Sequence, residues 1–110
     1  MTGPVNLDNL REMTGGDETV ERELFNVFLD SSNKCLTALQ ASTTAGQEET
    51  WQTEAHAWKG MSLNLGAEKL GELCACAQMN NRASPEEKAR MLNEISQEYD
   101  KVKQYLKNIY

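Results

Sequence analysis

Apolar residues recur along this chain at steps of three and four, and no notable stretch alternates at a step of two. That periodicity predicts helices and no sheet. Leu7, Leu10 and Met13 mark the buried edge of a short helix starting near Asn6, which Gly15-Gly16 stops. Residues 1–4, with Gly3 and Pro4 as breakers, read as a loose lead-in. Asp17 is placed to cap a second helix over about 17–43, with Glu18 and Glu21 at its positive end. The stripe predicted to face the core is Val20, Leu24, Val27, Phe28, Ser31, Cys35, Ala38 and Leu39. Phe25, Leu29 and Leu36 widen it. They read as core or as an edge over the first helix, the other reading being an exposed strip for a protein partner.

Ser42-Thr43-Thr44-Ala45-Gly46 is a turn signal, and from Gln47 a third helix carries Trp51, Ala55, Trp58, Ser62 and Leu65 on one face. Gly66 ends or kinks it. A fourth helix follows with Leu70, Leu73, Cys74 and Ala77 inward, and Ser84-Pro85-Glu86-Glu87 opens a fifth with a capping box and proline at the first helical position. The stripe of the fifth is Met91 or Leu92, Ile95, Tyr99, Val102, Leu106 and Ile109. Four long amphipathic helices with short connections predict an all-α fold: an antiparallel four-helix bundle with a short additional N-terminal helix across one end. With no internal repeat and no linker, residues 1–110 read as one domain.

Composition narrows the function. The chain has 17 acidic and 11 basic residues, a net charge of -6, which is the wrong sign for a phosphate-backbone binder; nucleic acid is not an expected partner. No apolar run reaches the roughly 18 residues needed to span a membrane, and no secretion signal is visible. Cys35, Cys74 and Cys76 are an odd number, and Cys74 and Cys76 point to different faces of a helix. Reduced thiols in a cytoplasmic protein are therefore expected, with no metal site.

Candidate chemistry centres on His56, the one histidine in the chain. It falls one residue off the third helix's buried stripe, on an edge shared with Gln52, Thr53, Lys59, Gly60 and Leu63. The Lys59 ammonium, one turn on, would stabilise an anion placed on the ring. Gly60 costs a helix interior about 1 kcal/mol relative to alanine. Because helical side chains lean toward the N-terminus, the missing side chain is the one that would overhang position 56. Close approach of another helix is the packing explanation for the same glycine. No serine or cysteine is tied to His56 in a credible triad, so hydrolase chemistry lacks its parts.

Ala55-His56-Ala57-Trp58-Lys59-Gly60, continuing through Asn64-Leu65-Gly66-Ala67, Leu70 and Leu73-Cys74, resembles the histidine-containing phosphotransfer (HPt) domain of bacterial multistep phosphorelays. The resemblance covers nearly the whole chain. It implies a phosphocarrier that accepts a phosphoryl group on His56 from a receiver-domain aspartate and passes it to another receiver. Lys59 would then neutralise charge, Gly60 would leave room, and Gln78 on the following helix would hold the imidazole. A hairpin pivoting at Gly66-Ala67 independently brings residues near 77 level with His56. The implied partners are receiver domains of response regulators or hybrid histidine kinases, with Gln52, Met61, Leu63, Cys76 and Arg82 as docking residues. No cofactor is implied on this chain, since the magnesium belongs to the receiver. Nor is autokinase activity, as no glycine-rich nucleotide loop is present.

Trp58 and Met61 depart from the family pattern, where a leucine-like and a small residue are usual. Trp58 reads as core. A monomer is expected, and the initial methionine favours a free-standing protein over a piece of a hybrid kinase. The alternative from another class is a non-catalytic helical adaptor in which His56 is incidental; an adaptor has no need to keep histidine, lysine and glycine together. The dimerisation domain of a sensor kinase is disfavoured, because residues 57–66 lack the proline usual after its histidine.

Overall fold

The computed structural model describes residues 4–109, apart from the side chain of Asn9, so most of the expected lead-in lies outside the described residues. Five helices follow in order: α1 (Leu7–Thr14), α2 (Glu18–Gln40), α3 (Glu48–Leu65), α4 (Glu68–Met79) and α5 (Pro85–Ile109), with no strand among the described residues. Their starts are set locally. The Asn6 side chain accepts from the Asp8 N–H at 3.1 Å, and the Asp17 carboxylate accepts from Thr19 and Val20 at 2.9 and 3.4 Å. Each bond satisfies a donor that the first helical turn leaves without a partner. At α5 the Ser84 hydroxyl accepts from the Glu87 N–H at 3.2 Å and donates to the Glu87 carboxylate at 3.2 Å. The carboxylate arm of this box therefore closes on the hydroxyl.

Neighbours in sequence pack as neighbours in space: α2 on α3, α3 on α4, α4 on α5, and α5 back on α2. The register is antiparallel. The start of α3 meets the end of α4 through Trp51 and Ala77, and Lys69 near the start of α4 reaches Glu98 of α5 at 3.7 Å. Helix α1 lies over α2 and α3 at one end. Inside this square, Trp58 of α3 and Phe28 of α2 both meet Tyr99 of α5 edge-on, at centroid distances of 5.3 and 6.3 Å. The Tyr99 hydroxyl is directed at α2, donating to the Asn33 side chain at 2.8 Å with the Leu29 carbonyl at 3.2 Å. A buried phenol thus ends on a polar partner, as its chemistry requires.

Two expectations for α2 need correction. The helix ends at Gln40 and not near 43, because Ser42 turns its hydroxyl and its N–H back onto the Leu39 carbonyl and closes the last turn. Its buried stripe is also rotated by one residue: Glu21, Phe25, Phe28, Ser32, Cys35 and Leu39 are buried, whereas Val20 and Val27 are exposed. Phe25 and Phe28 dominate because α2 faces both α3 and α5. The aliphatic positions Leu24 and Val27 fall on the flank toward α1. In α5, Leu92 and not Met91 is the buried apolar residue of the pair, the buried Lys88 precedes it, and Ile109 is exposed.

The corner between α3 and α4 fixes the position of everything after it. Gly66 adopts φ of 98°, with the Ala67 N–H bonded to Ser62 and the Gly66 N–H to Leu63, a Schellman stop. A Cβ at Gly66 would collide with the Asn6 carbonyl, and the Asn6 N–H donates to the Gly66 carbonyl at 2.8 Å. The segment before α1 is thereby stitched to this corner.

All three cysteines are free, with Cys35 and Cys74 buried and Cys76 exposed. Burial, with Glu54 nearby, pushes the Cys35 thiol from 9.0 up to about 11, and burial pushes Cys74 up to about 12. Burial likewise pushes the Tyr99 phenol from 10.0 up to about 12. The unfolded chain ionises these groups first, so their contribution to stability is complete below about pH 9 and is lost as pH rises toward 11–12. A thiol reagent at mildly alkaline pH should modify Cys76 at once and the other two only in denaturant. Urea midpoints should fall between about pH 8 and pH 10.5; equal midpoints would contradict the burial argument.

Candidate functional site

The rotation of α3 places its histidine. Trp51, Ala55, Trp58, Ser62 and Leu65 are all buried, as the spacing predicts, and both tryptophans are fully enclosed at 0% exposure. His56 is exposed on the edge beside α4. Its Nδ1 lies 3.3 Å from Oε1 of Gln78, 22 positions on in the last turn of α4. A carbonyl oxygen can only accept, so this pairing suits the Nδ1–H tautomer, the one that leaves the lone pair on Nε2. A neutral imidazole with a free Nε2 lone pair can act as a nucleophile toward an electrophile arriving from solvent.

The end of α4 that presents Gln78 is held from two sides. Trp51 donates its indole N–H to the Ala77 carbonyl at 2.7 Å, and Asn80 donates its side-chain amide to the Cys76 carbonyl at 2.7 Å. Both carbonyls also share the Asn80 N–H, at 3.1 and 3.2 Å, so the side chains add second donors at the helix end. Reading the sequence places Trp51 in the core but misses this bond.

Lys59 is half-buried, and among the described residues it makes no ion pair, which leaves its ammonium for an incoming anion. Gly60 is exposed, and a Cβ built there meets nothing within 4 Å. Helix–helix packing therefore does not account for this glycine. Gly71 of α4 is the opposite case: its Cβ would come within 2.6 Å of Cδ2 of Leu63, so glycine there admits the Leu63 side chain.

The predicted docking residues divide. Gln52 and Leu63 flank His56 on α3, with Leu63 still 42% exposed while its side chain rests on Gly71. Met61 sits about 140° around the helix from His56 at 100° per residue. It lines an apolar groove of about 220 Å³ with Leu10, Met13, Leu24, Val27 and Phe28, between α1, α2 and α3. Cys76 is exposed on α4, next to the carbonyl that Asn80 caps, and Arg82 is exposed just beyond the helix end. Neither is in contact with His56 in the hydrogen bonds and ion pairs of the described residues. The groove itself escaped the sequence reading, which assigned Leu24 and Val27 to the buried stripe. Among the described residues no group of three His, Cys, Asp or Glu could hold a metal ion, and no helix is long and apolar enough to cross a membrane.

Bundle and site together define an all-helical domain built around one exposed, oriented histidine. The sequence profile of the Hpt domain matches residues 23–105, from the second turn of α2 to near the end of α5, and the chain belongs to the Hpt domain family. Membership implies histidine phosphotransfer in two-component phosphorelays, with receiver domains as the interacting class. Comparison with curated proteins and with solved structures gives no match.

Because Gly60 is exposed with open space around it, Gly60→Ala should raise stability by about 0.5–1 kcal/mol through helix propensity alone. Urea denaturation measures this directly. A loss of stability would show that the glycine serves the bundle's own packing.

Proposed function

We propose that His56 is the phosphoacceptor of a phosphorelay carrier, receiving the group from an aspartyl phosphate on one receiver domain and delivering it to an aspartate on another. The observation that carries this reading is the His56–Gln78 pair: Nδ1 is anchored, Nε2 is free, and the space over Gly60 is open. Nε2 attacks phosphorus, the P–O bond to the donor carboxylate breaks, and an N–P bond forms. The ring then bears a positive charge, spread toward Nδ1–H, which the Gln78 carbonyl stabilises. The same charge makes the imidazole a good leaving group for onward transfer. Lys59 offsets the negative charge of the phosphoryl oxygens as donor and acceptor exchange places.

Membership of the family supports receiver domains as partners; which receivers they are, and which way the group flows, is for phosphotransfer profiling to establish. Magnesium in this scheme sits on the receiver, where it organises in-line transfer. This chain contributes the nucleophile, the ammonium and a docking edge. Gln52 and Leu63 border that edge, Cys76 and Arg82 extend it along α4 and past its end, and the groove beside Met61 supplies further apolar surface on α1 and α2.

Incubation with a phosphorylated receiver should label the wild type and leave His56→Gln unlabelled, with label that is lost in acid and retained in alkali. Label that survives the substitution, or survives acid, would refute the assignment. Gly60→Glu adds a charged side chain over the ring and should slow transfer at least tenfold, about 1.4 kcal/mol of barrier, while the helical circular dichroism is retained. Unchanged transfer kinetics would remove the clearance argument.

A further inference from the structure

A buried indole on the phosphoacceptor's own helix reaches the neighbouring helix at the residue next to its hydrogen-bond partner. Side-chain hydrogen bonds join α3 to α4 from Trp51 Nε1 to the Ala77 carbonyl, at 2.7 Å, and between His56 Nδ1 and Gln78 Oε1, at 3.3 Å. The acceptors are consecutive residues. Trp51 and Ala77 are both at 0% exposure, whereas His56 is exposed and Gln78 half-buried. The first bond is short and inside the core; the second is longer and at the surface.

The last turn of α4 is where a helix frays, and one backbone N–H, that of Asn80, is shared between the Cys76 and Ala77 carbonyls at 3.1 and 3.2 Å. Gln78 lies in that turn, one residue before the end at Met79. Whatever holds this turn in register also holds the Gln78 carbonyl against the ring. Asn80 caps the Cys76 carbonyl from α4's own end, which closes the helix without fixing its distance from α3. Trp51 does fix that distance. Its indole has few rotatable bonds, and the buried Lys88 lies over it, with the ammonium 5.1 Å from the ring centroid. Lys88 of α5, Trp51 of α3 and Ala77 of α4 thus form one strut across the bundle.

We infer that Trp51 is a positioning residue for His56: its indole N–H, by holding the Ala77 carbonyl, keeps Gln78 where it selects the Nδ1–H tautomer and frees the Nε2 lone pair. This rests on the reading of His56 as phosphoacceptor, but the tautomer can be observed without any transfer. Loss of the indole donor lets the end of α4 move away from α3. The imidazole then reverts toward the Nε2–H form that predominates in an unconstrained histidine, and fewer molecules carry a reactive Nε2.

The test is Trp51→Phe, which keeps an aromatic ring and removes the donor, with nitrogen-15 spectra of the His56 ring recorded alongside transfer from a phosphorylated receiver. In the wild type Nε2 should show the shift of an unprotonated nitrogen at mildly alkaline pH. In the variant that signal should move toward the protonated value, and transfer should slow about three- to tenfold, the scale of one lost hydrogen bond. In a Gln78→Leu background the same substitution should add little further loss, because Trp51 acts through Gln78. A folded variant with wild-type ring shifts, or losses that multiply in the double variant, would overturn the inference. If the phenylalanine variant fails to fold, benzothienylalanine at position 51 keeps the bicyclic shape and removes only the N–H. If the wild type accepts no phosphoryl group, the proposed function falls, and the ring shifts alone decide the role of Trp51.

Discussion

A helix whose one face is filled by two tryptophans cannot turn. Trp51 and Trp58 are enclosed completely, and at about 25 cal/mol per Å² each indole contributes roughly 4–6 kcal/mol of gross hydrophobic free energy. Rotating α3 by a single residue would pull both from the core and drive charged neighbours into it. The direction of the opposite edge, and so of His56, is a by-product of that filling. Trp58 also meets Tyr99, whose hydroxyl is in turn committed to α2. The orientation of the imidazole is therefore set by contacts reaching three of the four long helices.

The site itself needs little. One amide carbonyl lies against Nδ1 of the ring, one ammonium makes no ion pair among the described residues, and one glycine leaves a gap. The two glycines nearest this region on α3 contrast with each other. Gly66 is demanded by its backbone angle and by the Asn6 carbonyl pressed against it, whereas Gly60 has open space where a methyl group would sit. The first is explained by the fold. The second is not demanded by any contact among the described residues.

Much of this was legible in the sequence where the physics is local. The Trp51–Leu65 stripe, the Asp17 and Ser84 caps and the Gly66 stop follow from side chains acting on backbone within a turn or two. The aliphatic pattern misplaces the phase of α2 because polar residues take buried positions: Glu21 accepts from the Thr14 hydroxyl, and Ser32 is enclosed at 0% exposure. Lys88 was unreadable for the same reason, its burial depending on a ring 37 residues away. Gln78 was found through the family resemblance and the hairpin geometry. The Trp51–Ala77 bond was out of reach, because its acceptor is a backbone carbonyl and side-chain identity carries no mark of which carbonyls stand open.

The tie between Asn6 and Gly66 also determines how the molecule bears load. It fastens the leading segment to the α3–α4 corner, ten residues beyond His56 on α3, or about 15 Å at the helical rise. A pull or a bulky neighbour acting on the chain ahead of Asn6 is taken up at that corner, where two helix ends and a Schellman turn already meet. The imidazole lies nearly three helical turns up α3 from that anchorage.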